Sequence, residues 1–383
     1  MTEQMNVPKL RFSEFEGKWN TKKVKDICPL QRGFDLPTTQ VVAGEYPVVY
    51  SNGIGRFHAE YKAKAPGIVT GRSGTIGNLT FVEHDYWPHN TSLWVTNFFD
   101  NDVKFIFYLL NKLDLKRFST GSGVPTLNRN DVHAHKTTVP NPREQQKIAS
   151  FLSKVDEKIG LLSEKKDKLT EYKRGVMQQL FNGKWHEQDG QLTFTPPTLR
   201  FKADDGSEFP DWEEKKLGDV CEFRDSQRLP LSSEERQQRQ GQYRYFGASG
   251  VIDYVDDYLF DGDFVLLGED GANIITRSTP LAFVVKGKFW VNNHAHVLKA
   301  LDSTYFLAQS LELLNYEKYN SGTAQPKLNA ATCKKIELIM PYDAEQTKIA
   351  NFLSAIDQKI DLTNSELNKA KEWKRGLLQQ MFV

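Results

Sequence analysis

The chain predicts an α+β architecture. Two mixed α/β domains are related by a pseudo-twofold and separated by two long antiparallel helices that form an intramolecular coiled coil. The main observation is a repeat: EQQKIASFLSKVDEKIGLLSEKKDKLTEYKRGVMQQLF from Glu144 aligns without a gap with EQTKIANFLSAIDQKIDLTNSELNKAKEWKRGLLQQMF from Glu345, at an offset of 345 − 144 = 201. A period that long means one architectural unit used twice. Two further observations support it: coiled-coil spacing inside each copy, and a weaker repetition in the strand-and-turn segments that precede them.

Residues 1–142 form the first domain. Tyr46–Tyr50 alternates as a short strand before the Asn52-Gly53 turn, and 103–113 (VKFIFYLLNKL) has a helical pattern. Residues 143–182 follow as the first helical spacer. Its apolar positions Ile148, Leu152, Val155, Ile159 and Leu162 are spaced 4, 3, 4, 3, as in a coiled-coil seam. Asn141 is the expected cap, with Pro142 in the first turn. A rod of that length, about 58 Å at 1.5 Å per residue, needs a partner for its apolar stripe. The matching helix of the same chain can supply one.

Residues 183–196 are read as a linker, 197–342 as the second domain and 343–383 as the distal helical spacer. In the second domain Phe264–Leu267 reads as a strand and 304–315 as a helix. The distal helix keeps the register of the first through Ile349, Leu353, Ile356 and Ile360, with Asp343 as the expected cap. Lys166 stands where the second copy has Leu367, and Thr363 where the first has Leu162, so the seam is imperfect.

The domains share a frame. Pro8-Lys-Leu-Arg-Phe12 matches Pro197-Thr-Leu-Arg-Phe201, and Trp19, Asp26 and Cys28 recur as Trp212, Asp219 and Cys221. Gly71 and Gly74 recur as Gly268 and Gly271, and Asn90 as Asn293. What lies between differs: Arg72-Ser73 becomes Glu269-Asp270, and Pro88-His89 becomes Val291-Asn292. Side chains of these kinds can discriminate base edges, Arg with guanine, Asn with adenine, Asp or Glu with the cytosine amino group. The candidate DNA contacts are Arg72, Ser73, His89 and Asn90 in the first half and Glu269, Asp270, Asn273, Asn293 and His294 in the second. The competing reading for each is a loop-closing or solvated residue. On the helices Lys173, Arg174, Gln178, Lys374, Arg375 and Gln379 are candidates for docking a partner, or are solvated faces.

Composition limits the alternatives. The three cysteines, Cys28, Cys221 and Cys333, form no CxxC pair, so neither a disulfide framework nor a zinc site is expected. The first twenty residues carry no apolar run, so no secretory signal is expected, and a cytoplasmic setting with no membrane contact fits. Net charge is +1, from 50 Lys+Arg against 49 Asp+Glu, too little for a protein that wraps DNA by bulk electrostatics alone. Neither a GxGxxG nor a GxxxxGK[ST] loop is present, and Asn141-Pro142-Arg143 departs from an adenine methyltransferase motif at its third residue. No catalytic or metal site is expected. A nuclease site at Glu269-Asp270 would exist in one half only.

Together the duplicated EQxKIAxFLSxxDxKI…[YW]KRGxxQQ[LMF]F segment, the two Pro-x-Leu-Arg-Phe starts, and the stretches ending at Asn128 (GVPTLN) and Asn329 (AQPKLN) resemble the specificity subunit of Type I restriction-modification systems. The resemblance implies that each domain is a target recognition domain reading half of a split double-stranded DNA site. It implies that the helices set the spacing and dock two modification subunits, with restriction subunits also present. The chain itself would be non-catalytic and bind no cofactor. S-adenosylmethionine, ATP and Mg would belong to partner subunits that perform adenine-N6 methylation and cleavage. The alternative is a two-domain coiled-coil adaptor that never touches DNA.

Overall fold

The structure, a computed structural model, describes residues 6–120, 125–188, 190–322 and 325–383. Gly123, Val124 and Ala324 of the recurring pre-helix motifs lie outside them. The chain divides into two compact units, one of Met1–Lys165 with Thr363–Val383, the other of Lys166–Leu362.

In the first unit a four-stranded antiparallel sheet runs in the order Leu30–Arg32, Ser92–Val95, Gly67–Gly71, Leu79–Val82. Beside it stands a three-stranded sheet, Gly53–His58, Tyr46–Tyr50, Trp87–Pro88, whose last pairing is parallel. A further pair, Asn20–Lys23 with Lys136–Val139, leads into the first long helix, Pro142–Leu180. The central strand Gly67–Gly71 is buried along its whole length. It is covered by the helix Val103–Leu113, whose Asp102 caps the Phe105 amide at 2.8 Å.

The second unit repeats this plan. Its four-stranded sheet runs Cys221–Phe223, Ala295–Ala300, Phe264–Gly268, Ala282–Val285. The companion sheet, Gly250–Val255, Gln240–Gly247, Lys288–Val291, gains a fourth strand at Phe260–Asp261. Even irregularities recur. The hairpin register slips between Val48 and Val49 in one unit and between Tyr245 and Phe246 in the other, both at an offset of 197. A bulge in the same place indicates a shared scaffold rather than a chance likeness.

Each unit contains the start of one long helix against the end of the other, so the pairing within each is antiparallel. In the first, Ile148, Leu152 and Val155 share a buried cluster with Leu377, Met381 and Phe382. In the second, Val176, Met177 and Leu180 share one with Ile349, Leu353 and Ile356. The second long helix spans Asp343–Met381.

The recurring motif residues are the joints of this packing. Arg11 donates through Nε and Nη2 to the Glu144 carboxylate at 2.7 and 2.8 Å, and Trp19 Nε1 donates to it at 3.2 Å. Arg200 and Trp212 repeat the arrangement on Glu345, at 3.1, 2.7 and 3.1 Å. Gln145 and Gln346 donate to the carbonyls of Pro140 and Pro341 at 3.0 and 3.1 Å. The "PxLRF" and "EQxKIA" signatures are therefore two halves of one buried ion pair that fastens the start of each domain to the first turn of its helix.

Two expectations are corrected. Asp343 is the first helical residue rather than the cap. The position equivalent to Asn141, whose Oδ1 accepts from the Glu144 amide at 3.0 Å, is Tyr342, which has no side chain suited to the role. Asp343 instead places a negative charge in the first turn, where the helix dipole favours it. Residues 183–196, read as a linker, contain the antiparallel hairpin Lys184–Gln188 with Gln191–Thr195, closed by Trp185 against Phe194 at 5.2 Å.

Candidate nucleic-acid interface

The variable tips hang on backbone contacts that are identical in the two units. Arg72 N–H donates to the Thr91 carbonyl at 3.0 Å, and its own carbonyl accepts from Leu127 at 2.8 Å. Glu269 N–H donates to the His294 carbonyl at 2.8 Å, and its carbonyl accepts from Leu328 at 2.7 Å. Single bridges Ser73–Thr126 and Asp270–Lys327 complete the match. Gly71 is required here, since a Cβ would lie 1.8 Å from the Thr75 carbonyl oxygen. Gly74 and Gly271 sit at φ +78° and +103°, a conformation that glycine adopts without strain.

On that common frame the side chains do unlike things. In the first unit Arg72 and Ser73 are half-buried, and the Arg72 guanidinium has no ion-pair partner among the described residues. His89 Nδ1 meets Thr91 Oγ1 at 3.0 Å, and its ring packs on Tyr50 at 4.3 Å. Burial lowers its pKa, favouring the neutral ring. Asn90 donates its amide to Asp35 and its carbonyl accepts from Arg32 Nε at 3.4 Å. His89 and Asn90 thus hold the loop around Arg72 and Ser73.

In the second unit Glu269 faces inward. Its carboxylate accepts from Arg228 Nη1 at 2.8 Å and lies 3.5 Å from Lys327 Nζ. Arg228 also donates to the Ala295 carbonyl at 2.8 Å and lies 3.7 Å from Asp225. Below them is the buried His296, with Nδ1 2.6 Å from Asp225 and Nε2 2.8 Å from the Leu328 carbonyl oxygen. Burial alone would lower its pKa, but Asp225 and then Cys333, through hydrogen bonding and charge, outweigh this and raise it to about 10. An oxygen acceptor at each ring nitrogen is satisfied only by the doubly protonated ring. Burial likewise works to raise the Asp225 pKa, and the His296 bond reverses it, leaving the carboxyl lowered.

Asn273 is a loop closer: its Nδ2 donates to the Thr279 carbonyl at 3.0 Å and its Oδ1 accepts from the Thr279 amide at 3.0 Å. Asp270 pairs with His294 Nδ1 at 2.8 Å on the surface, and Asn293 beside them is exposed. Of the candidate tips only Asn293 and His294 are exposed, while Arg72, Ser73 and Asp270 are half-buried. Sequence spacing assigns His294 and His296 no carboxylate partner; the sheet supplies one to each, from 24 and 71 residues away. No cluster of three metal-ligating side chains occurs among the described residues.

Of the helix candidates, Lys173 is held by Asp357 at 2.7 Å and Lys374 by Asp156 at 2.6 Å, each within one unit. Asp156 also accepts from Tyr108 at 2.8 Å, and Asp357 from Tyr305. These lysines fasten the paired helices. Arg174, Gln178, Arg375 and Gln379 are exposed, the two arginines bearing only loose pairs, at 3.9 Å with Glu171 and 3.8 Å with Glu372. The residues that sequence reasoning missed are Arg32, Arg129 and Arg228. Extending the offset of 193 from Cys28 and Cys221 pairs Arg32 with Asp225 and Asp35 with Arg228.

Comparison with known proteins agrees with this duplicated plan. The sequence model of a family described as Type I restriction modification DNA specificity domain matches residues 16–171 and 210–372. A putative type I restriction enzyme specificity subunit of Haemophilus influenzae is 33% identical over 161 residues, 42% of this chain and 40% of the relative. The EcoprrI specificity subunit of Escherichia coli is 24% identical over 282 residues, 70% of this chain and 64% of the relative. The match thus spans less than two thirds of either relative's length. The solved S subunit of a Type I restriction-modification system from M. genitalium superposes with a TM-score of 0.70 at 17% identity, covering 98% of this chain and 99% of that one, a likeness of fold. No described helix is long and apolar enough to cross a membrane. With the family matched once in each half, the chain belongs to the specificity subunits of Type I restriction-modification systems.

Proposed function

We propose that this chain reads a bipartite double-stranded DNA site, one half-site per unit, and directs partner subunits to it without catalysing a reaction itself. The observation that carries the reading is the contrast at Arg72 and Glu269: two backbone hydrogen bonds are shared, and the side chains are opposite in charge. A frame preserved while its tips diverge suits two readers of different sequences. The long helices, each 39 residues and continuous from one unit into the other, fix the spacing between half-sites and offer Arg174, Gln178, Arg375 and Gln379 to two modification subunits. Those subunits bring S-adenosylmethionine for adenine-N6 methylation, and restriction subunits bring ATP and Mg, in the cytoplasm. A net charge of +1 fits a subunit whose partners make much of the phosphate contact.

Methylome sequencing of a host carrying the complete system, against a strain deleted for this chain alone, tests the reading. A split motif bearing N6-methyladenine that vanishes on deletion is expected. An unchanged methylome would leave the adaptor alternative standing.

A further inference from the structure

The first unit contains an open cleft of about 480 Å³ whose polar lining is Arg32, Arg72, Thr126, Asn128, Arg129 and Asn130, over Leu93 and Leu127. Three of these six are arginines, and no carboxylate lines the cleft. Among the described residues the only ion pair of the three is a loose one, Arg32 with Asp35 at 3.4 Å, both more than half exposed. Like charges gathered without counter-charges repel one another unless a ligand supplies the opposite sign.

The equivalent place in the second unit has the opposite character. At the offsets of 193, 197 and 201 that align the two units, Arg32 becomes Asp225, Arg72 becomes Glu269 and Arg129 becomes Ala330, while Thr126 becomes Lys327. There Arg228 lies 2.8 Å from Glu269 and 3.7 Å from Asp225, with Lys327 3.5 Å from Glu269. The second unit satisfies its charges internally, and the first does not.

We infer that the arginine cleft of the first unit seats a DNA backbone phosphate and that the second unit has no counterpart to this seat. The inference rests on the proposed DNA-reading function and adds that the first half-site is held by a salt-sensitive phosphate contact that the second lacks at the equivalent place. Guanidinium groups match phosphate oxygens in geometry and charge. Each phosphate neutralised releases condensed counterions and adds about 0.9 to the salt slope of log K. A guanine edge offers arginine similar acceptors, but losing that contact relaxes base choice at one position and leaves the slope unchanged.

The test uses the full chain assembled with its modification subunits and a duplex carrying the motif from the methylome, with binding titrated across salt concentration. Arg32→Ala and Arg129→Ala should each lower the slope by part of the ~0.9 that one phosphate contributes, with the motif unchanged, and the triple variant with Arg72→Ala should complete that loss of ~0.9. The triple Arg→Lys variant should keep the slope. Lys327→Ala in the second unit should leave it unaltered, because Lys327 already faces Glu269. An unchanged slope in the triple alanine variant, an unchanged slope with relaxed choice at one base, or an equal loss on Lys327→Ala would each overturn the inference. Thermal unfolding of each variant shows whether the fold is retained. Should the unsubstituted complex bind no split site at all, it is the functional reading that fails, separately from the cleft.

Discussion

Replacing Glu144 by alanine isolates the joint between domain and helix. The Glu144 side chain is 1% exposed and accepts three hydrogen bonds, two from Arg11 and one from the buried Trp19 indole. Its removal strands a guanidinium that is only 14% exposed and leaves the Trp19 N–H without its acceptor. Breaking a buried pair from one side costs about 3–5 kcal/mol. Arg11 still donates to the carbonyls of Gly17 and Glu16 at 2.6 and 3.1 Å, so the low end, about 3 kcal/mol, is expected. Because two units need not unfold together, the assay is amide hydrogen exchange resolved by segment. Exchange through opening of the first unit's core should quicken about a hundredfold. The buried strand Phe264–Gly268 of the second unit serves as the internal reference and should not move. Glu345→Ala should produce the mirror result. A change below about 1 kcal/mol, the range of an ordinary surface pair, or equal loosening of both units, would refute the joint.

Two further outcomes follow from the same geometry. In the Tyr108–Asp156–Lys374 cluster, a double-mutant cycle on Asp156→Ala and Lys374→Ala should give a coupling of about 0.5–3 kcal/mol; additive losses would return Lys374 to the surface as a docking residue. His296→Leu, which installs the first unit's equivalent Leu93, should destabilise most at low pH. The folded pKa of His296 lies at about 10, above the ordinary histidine value. Its contribution is therefore complete below about 6.5 and disappears as pH rises through 10, so the gap between variant and wild type in denaturant unfolding should close over that range. Asp225, with its pKa lowered, contributes above the ordinary carboxyl range and loses that contribution as pH falls through its folded value. A gap independent of pH would contradict the charged His296–Asp225 pair.

Much of the architecture was legible because periodicity and repetition report burial directly. The long helices at Pro142–Leu180 and Asp343–Met381 lie within two residues of their expected bounds, and the strand Tyr46–Tyr50 matches its expected span. The hairpin at 184–195 escaped although Asp189-Gly190 is a strong two-residue turn signal. Its flanking residues are mostly polar and exposed, so no alternating apolar pattern marks them. The candidate tips were found as positions, since an internal repeat separates frame from insert. Their roles were not legible: Glu269 and Asp270 are neighbours in sequence and both half-buried, yet one pairs with Arg228 and the other with His294. Which way a loop carboxylate turns depends on cationic partners from distant strands, and no local pattern encodes that.

Independent reading by two units of one frame is tested most directly by exchanging residues 197–341 for the corresponding segment of a relative with a different motif, then sequencing the methylome. The expected result is a hybrid motif in which one half-site is new while the other half-site and the spacing are kept. Alteration of both half-sites at once would contradict it.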